Sequence, residues 1–149
     1  MIFSLRKATD NDLDLTYKTK KNALYEYLEM LWGWNEQAQD EFHREHYKKE
    51  HFQIIERHEE GIGYLEIENR EDHIFLANIM ILKQFQGNGI GKIILQDLIK
   101  QHSEIHLEVL KVNKRAIQFY QNLGFVMIEE SEDSFTLYFS NSSEQQSFL

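Results

Sequence analysis

Gln86-Gly87-Asn88-Gly89-Ile90-Gly91 holds three of the seven glycines in a chain of 149 residues that has no proline. With proline absent, glycine carries most of the turn punctuation, so this cluster decides how its flanks are read. Upstream, Ile74–Leu82 is apolar except for Asn78, the pattern of a strand buried on both faces at the centre of a sheet. Downstream, Ile90, Ile93, Ile94 and Leu98 recur at helical spacing, so a helix starts at the glycines and ends near His102. A strand, a glycine loop and a helix N-terminus in that order turn unpaired N–H groups and the positive end of the helix dipole toward one spot, which suits a phosphate or pyrophosphate. Two nucleotide motifs are excluded. The dinucleotide fingerprint needs glycine where Lys92 stands, and the Walker loop needs Ser or Thr where Ile93 stands. A turn that merely lets a helix lie close on a strand stays open at this point.

Outward from the loop, Ile2–Lys7 reads as a first strand, and Thr9 with Asp12 forms a capping-box signal for a helix through about Met30. Trp32-Gly33-Trp34 breaks it, Asn35 caps a second helix to about Lys48, and Ala38, Phe42 and Tyr47 supply that helix with a sparse apolar face. Phe52–Arg57 and Ile62–Asn69 are strands joined across Glu59-Glu60-Gly61, and a turn near Arg70–Asp72 leads to His73–Leu82. Ile105–Leu110 is a further strand. Asn113–Leu123 is a helix with Gly124 as its left-handed cap, and Phe125–Glu130 with Ser134–Ser140 closes the chain as a hairpin. The result is one α/β domain of the α+β type over residues 1–140, with a mixed, mostly antiparallel sheet and about four helices; the tail 141–149 is expected to fray.

Composition narrows the function. Cysteine is absent, which removes disulfides, thiolate nucleophiles and cysteine-ligated metals and fits a reducing, cytoplasmic setting. No apolar run is long enough to span a membrane. Sixteen Lys and Arg against twenty-five Asp and Glu give a net charge of −9, which opposes nucleic-acid binding and favours cationic small molecules or basic peptides. His43, Glu45 and His46, and likewise His102 and His106, supply too few ligands at the wrong spacing for a zinc motif. They read as solvated helix faces, and no metal is expected.

Asn113-x-x-Ala116-x-x-Phe119-Tyr120-x-x-x-Gly124-Phe125 lies twenty-two residues beyond Gly91. Together with Gln86-x-x-Gly89-x-Gly91 it resembles, in form and order, the two most diagnostic motifs of the GCN5-related N-acetyltransferase (GNAT) family. The resemblance covers Ile74–Phe125, roughly a third of the chain, and the strand, two helices and meander before it also look like that family's N-terminal half. It implies transfer of an acetyl group from acetyl-coenzyme A to a primary amine by direct attack in a ternary complex. Gln86, Gly87, Asn88, Gly89, Ile90, Gly91 and Lys92 would then wrap the pyrophosphate. Ile79 and Ile81 would run beside the pantetheine arm, with backbone N–H groups near Ile81 on the thioester oxygen, and Asn113, Ala116 and Phe119 would complete the coenzyme site. Many relatives carry proline where this chain has Lys83, so the start of the loop is expected to be less rigid.

Acetyl transfer to an amine needs a proton acceptor and gains from a donor to the leaving thiolate. Tyr120 fits the donor, against the alternative of a core aromatic on its helix stripe. Glu108, between Leu107 and Val109, fits the base if burial among apolar neighbours raises its pKa, against the alternative of an edge-facing or solvent-facing glutamate; its separation of twelve residues from Tyr120 resembles the base-and-acid pair of relatives that acetylate protein N-termini. Tyr25, Trp32 and Trp34, with acidic residues from Glu26 to Glu41 around them, could form a recess for a cationic acceptor or a plain hydrophobic seam. The acceptor is a small cationic amine or a peptide amine, and a monomer or homodimer is expected. A non-enzymatic acyl-coenzyme A sensor is the competing class; it would keep the glycine loop but have no need of Tyr120 or Glu108.

Overall fold

The polar residues at the start of the first helix show how the N-terminal part is built. Thr9 and Asp12 form the expected capping box: the Asp12 carboxylate accepts from the Thr9 N–H at 2.8 Å, and the Thr9 hydroxyl accepts from the Asn11 N–H at 3.2 Å. Asp12 is buried and takes a forked pair of bonds from the Arg6 guanidinium at 2.8 and 2.9 Å, while Arg6 Nε reaches Glu56 at 3.0 Å. Held chiefly by Arg6, the Asp12 carboxyl lies below its ordinary pKa.

The structure, a computed structural model, describes residues 2–141. The elements are β1 (Ser4–Lys7), α1 (Leu13–Trp32), α2 (Glu36–His46), β2 (Phe52–Arg57), β3 (Glu60–Asn69), β4 (Ile74–Ile81), α3 (Ile90–Gln101), β5 (Glu104–Leu110), α4 (Lys114–Asn122), β6 (Val126–Glu130) and β7 (Ser134–Ser140). The strands form one seven-stranded sheet in the order β1-β2-β3-β4-β5-β7-β6. The ladders β1–β2, β2–β3, β5–β7 and β6–β7 are antiparallel and β4–β5 is parallel, so the α+β fold with a mixed, mostly antiparallel sheet and four helices holds. Among the described residues no helix is long and apolar enough to cross a membrane. Contacts divide the chain into two compact units, one of residues up to Glu66 plus Asn78–Gly91, the other of Ile67–Ala77 plus the residues from Lys92 on.

In the first unit, Ala8, Phe52, Ile54, Tyr64 and Met80 form a buried cluster, flanked by Leu15, Ala23, Leu24 and Tyr47. Two readings are corrected here. The inward residue of α2 is His43, not the Ala38 and Phe42 face: both of those are exposed, while His43 is buried and Tyr47 half-buried. The Thr16 hydroxyl donates to Leu13 O at 2.9 Å, so its oxygen accepts from His43 Nε2 at 2.8 Å, and the imidazole lies among Tyr17, Tyr47 and Phe52. A histidine expected on a solvated face is thus a satisfied core residue. The β2–β3 turn is His58–Glu59, both with positive φ, and Gly61 belongs to β3. There the register shifts by one residue between Ile55 and Glu56, and a Cβ on Gly61 would meet Leu15 Cδ2 at 2.6 Å, so glycine answers side-chain crowding rather than the turn.

The second unit is organised on β5, whose seven residues pair with Ser134–Ser140 of β7. Ile105, Leu107, Val109 and Leu137 are buried. The β4–β5 ladder covers only Ile74–Leu76 against Ile105–Leu107, although β4 continues to Ile81 and β5 to Leu110. This corrects the expectation of a strand buried on both faces: Ile74, Leu76 and Met80 are buried, while Phe75, Ala77, Asn78, Ile79 and Ile81 are half-buried. Gly124 follows α4 with φ +101°, as expected of its cap. Of the tail, only Asn141 is among the described residues, and it is tied down, its side-chain amide donating to Ile99 O at 2.9 Å; 142–149 lie outside them.

Two outcomes follow from these contacts. Burial lowers the His43 pKa to about 4, against about 6.5 in the unfolded chain. Between those values only the unfolded chain takes up the proton, so stability falls as pH drops through that window, by up to about 3 kcal/mol. Chemical denaturation at pH 7 and pH 4.5 should show His43→Gln losing less stability over the interval than the wild type; equal losses would remove His43 from the acid response. Gly63, buried on β3, faces a harder wall. A Cβ there would run into the Met80 carbonyl oxygen and come within 3.2 Å of Ile81 Cα. Gly63→Ala should cost about 1–3 kcal/mol and Gly61→Ala less, because the Leu15 tip can rotate away while backbone cannot; the same denaturation series measures both, and equal costs would contradict the close approach.

Candidate active site

In the first unit, the end of β4 is fixed from three directions. Leu82 N–H donates to Ile62 O at 2.9 Å, Gly63 brings β3 hard against Met80 and Ile81, and the Gln86 side-chain amide donates to Ile81 O at 2.8 Å. Lys83–Phe85 is one 3₁₀ turn. The start of the loop, expected to be loose for want of proline, is instead braced by α1: Asn22 Oδ1 accepts from the Lys83 N–H at 2.8 Å, a donor proline lacks, and Lys83 Nζ meets Glu26 at 2.8 Å.

Beyond Gln86 the backbone turns with φ +80° at Gly87 and +83° at Gly89, a region L side chains rarely adopt. Gly87, Asn88 and Gly89 are exposed, and their N–H groups have no acceptor among the described residues. Ile90, buried, starts α3; Gly91 is half-buried in its first turn and Lys92 exposed after it. Loop donors and a helix N-terminus therefore follow one another directly, which can hold an anion. Ile79 and Ile81 lie on β4 as expected. Gly63 was missed by the sequence reading; its signal was a second glycine, after Gly61, inside a strand pattern, which marks close backbone approach.

The expected acceptor recess is only partly assembled. Tyr25 and Trp34 meet, ring centroids 5.4 Å apart. Trp34 N–H donates to Glu29 at 2.6 Å and its indole Nε1 to Glu36 at 2.7 Å. The cation beside this group is the protein's own: Lys21 Nζ pairs with Glu36 at 2.8 Å and stands 6.0 Å from the Trp34 ring centroid. Trp32 is 61% exposed.

In the second unit, Asn113 caps α4, its side-chain oxygen accepting from the Ala116 N–H at 3.1 Å. Ala116 and Phe119 are half-buried and Tyr120 is buried, its ring tilted edge-on to Phe119 and Phe125 at 5.3 and 5.6 Å. Burial raises the Tyr120 pKa above the ordinary phenol value, and its hydroxyl has no hydrogen-bond partner among the described residues. Of the two readings of Glu108, the structure has the solvent-facing one. On β5 it alternates with buried Leu107 and Val109 and is exposed, across from Thr136 of β7, so the burial that was to make it a base is not found. His106 departs from expectation: it lies on β5, half-buried and stacked on His73, rather than on a solvated helix.

Residues 21–125 match the family model of the Acetyltransferase (GNAT) family. The peptidyl-lysine N-acetyltransferase YiaC of Escherichia coli is 36% identical over 55 residues, covering 37% of this chain and 38% of that protein. The spermine/spermidine N(1)-acetyltransferase of Bacillus subtilis is 33% identical over 64 residues, covering 39% of this chain and 42% of that protein. The aligned segments thus span about two-fifths of these curated relatives' lengths. Among solved structures, the PaiA N-acetyltransferase of Thermoplasma acidophilum in complex with coenzyme A is similar in fold, with a TM-score of 0.75 over 94% of this chain and 99% of that one at 19% identity. With more than two thirds of its residues under the family model, and with the fold to match, this chain belongs to the Acetyltransferase (GNAT) family.

Proposed function

We propose that this chain is an acetyl-coenzyme A-dependent N-acetyltransferase that acetylates a primary amine by direct attack. The observation that carries the reading is the Gln86–Gly91 loop: Gly87, Asn88 and Gly89 are exposed, their N–H groups have no acceptor among the described residues, and the N-terminus of α3 follows at once. These residues fit a pyrophosphate, and family membership makes coenzyme A the ligand to try. Relatives named for peptidyl-lysine and for spermine or spermidine share a cationic terminal amine, which also suits the net charge of −9.

When bound, acetyl-coenzyme A supplies an acetyl thioester whose carbonyl carbon the amine attacks. The chain's own residues do the rest. Gly87–Gly89 hold the pyrophosphate through backbone donors, leaving the side chain of Gln86 to brace Ile81. Backbone N–H groups near Ile81 stabilise the oxygen that gains charge. Tyr120, kept protonated by burial, offers its unpartnered hydroxyl to the leaving sulfur. Glu108 takes the amine proton; its exposure leaves it reachable by a solvated amine and able to pass that proton to water. The demand on such a base is large, since an amine of pKa about 10.4 is neutral in only about one molecule in 2,500 at pH 7, a handicap near 4.6 kcal/mol.

Calorimetric titration with coenzyme A tests the loop. Gly89→Glu places a carboxylate where the anion should sit and is expected to weaken binding at least tenfold; Gly89→Ala carries the same backbone strain without the charge and should weaken it less. Unchanged affinity in a folded Gly89→Glu protein would move the coenzyme elsewhere.

A screen of lysine peptides, peptide N-termini and polyamines, read by free thiol release, tests the activity, and coenzyme binding with no turnover on any amine would point to a sensor. With the acceptor found, Tyr120→Phe should lower kcat roughly tenfold or more at unchanged coenzyme affinity. Glu108→Gln should slow the reaction more at pH 7 than near pH 10, where free amine is plentiful. A pH-independent effect of Glu108→Gln would make it a structural residue.

A further inference from the structure

His73, Glu104 and His106 lie in the second unit, and none of them has a part in the acetyl transfer proposed above. Their placement follows from the strands. Glu104 and His106 are two residues apart on β5 and so share a face. The parallel ladder sets Ile74 beside Ile105, which brings His73, one residue before β4, next to Glu104. The turn before it is closed by the Arg70 N–H donating to His73 O at 2.9 Å, so His73 is held by backbone on both sides.

The side chains converge. The imidazoles stack with centroids 4.0 Å apart and planes 27° from parallel; His106 Nε2 is 3.1 Å and His73 Nδ1 3.9 Å from the same Glu104 Oε2. One donor atom from each of the three residues lies within 4.8 Å of the others. Asp72 Oδ1 is 2.7 Å from His73 Nδ1, and Tyr138 of β7 stands edge-on to His106 at 5.7 Å. All three donors are half-buried, beside a depression of about 250 Å³ that Asp72, His73, His102 and Glu104 help to line. Glu104 Oε2 is thus shared between two imidazoles, an arrangement that a single cation placed among the three donors would satisfy at once.

We propose that His73, Glu104 and His106 bind one transition-metal dication, Zn²⁺ by preference, with Asp72 or water completing the coordination. Two imidazoles and a carboxylate form a donor set suited to Zn²⁺ rather than to Mg²⁺ or Ca²⁺, which take oxygen ligands. Zinc bonds of about 2.0–2.1 Å set tetrahedral ligands about 3.4 Å apart, so the donors need close by only roughly 1.5 Å, within reach of side-chain rotation. The ion would pin the β3–β4 turn to the start of β5. Sequence spacing hides the site because His73 is thirty-one residues from Glu104, and the parallel ladder makes them neighbours.

Equilibrium dialysis of the full chain against Zn²⁺, with thermal unfolding in parallel, tests the site without recourse to activity. The wild type should take up one equivalent with micromolar or tighter affinity and melt at higher temperature as zinc saturates. His73→Gln and His106→Gln should each weaken binding at least tenfold and abolish the rise in Tm, while His46→Gln, at an exposed position of α2, should change neither. Glu104→Gln carries the same test should a histidine variant not fold. No saturable uptake by the wild type, or uptake unaltered in the folded variants, would overturn the proposal.

Discussion

The hydrogen bond from the Gln86 side-chain amide to Ile81 O, 2.8 Å long, is the constraint around which the end of β4 is arranged. Where a strand gives way to a loop, a backbone acceptor that loses its ladder partner must find another donor or face water. Here a side chain supplies it. That choice has a consequence for the loop: the backbone donors of Gly87, Asn88 and Gly89 are not needed to hold Ile81 O, and these residues stand exposed beyond the 3₁₀ turn that Phe85 and Gln86 close with their own N–H groups.

The position of that junction depends in turn on α1. Arg6 and the Thr9–Asp12 capping box fix where the helix begins, and Thr16 with His43 fixes which face turns inward. Asn22 and Glu26, four residues apart and so on one face, then reach Lys83. The buried polar contacts near the N-terminus therefore act at a distance along the helix. They hold Lys83, the second residue after β4, in a place where many members of the family, by resemblance, use proline. A backbone N–H that donates to Asn22 restrains the chain through a bond rather than through a ring, a restraint that a count of prolines omits.

What the sequence made legible was periodicity and punctuation. The strand–loop–helix order around Gln86–Gly91, the caps at Thr9, Asn35 and Asn113, and the final hairpin all depend on contacts within a few residues, which a sequence displays. The misreadings share a different cause. Histidine on a polar helix reads as solvated, yet His43 is satisfied by Thr16, twenty-seven residues away. Glycine between two strand patterns reads as the turn, whereas two non-glycine residues, His58 and Glu59, adopt positive φ and the crowding at Gly61 comes from Leu15. Apolar neighbours leave Glu108 open to burial, yet strand alternation turns it outward. Each error treats a residue's sequence neighbours as its spatial ones.

The environments of Tyr120 and Glu108 also separate two roles that composition leaves interchangeable. On the proposed reading, Tyr120 faces a leaving thiolate whose thiol has an ordinary pKa of about 8.5. A phenol of pKa about 10 would lose about 2 kcal/mol in giving up its proton to that sulfur, and burial pushes Tyr120 higher still. Full proton transfer is therefore uphill, and more so in the buried site than in water. A hydrogen bond carries no such cost, because it stabilises charge on sulfur without moving the proton, and it strengthens where water is excluded. On that reading Tyr120 would serve as a fixed donor to developing charge, and the net proton flow would run from the amine through exposed Glu108 to solvent.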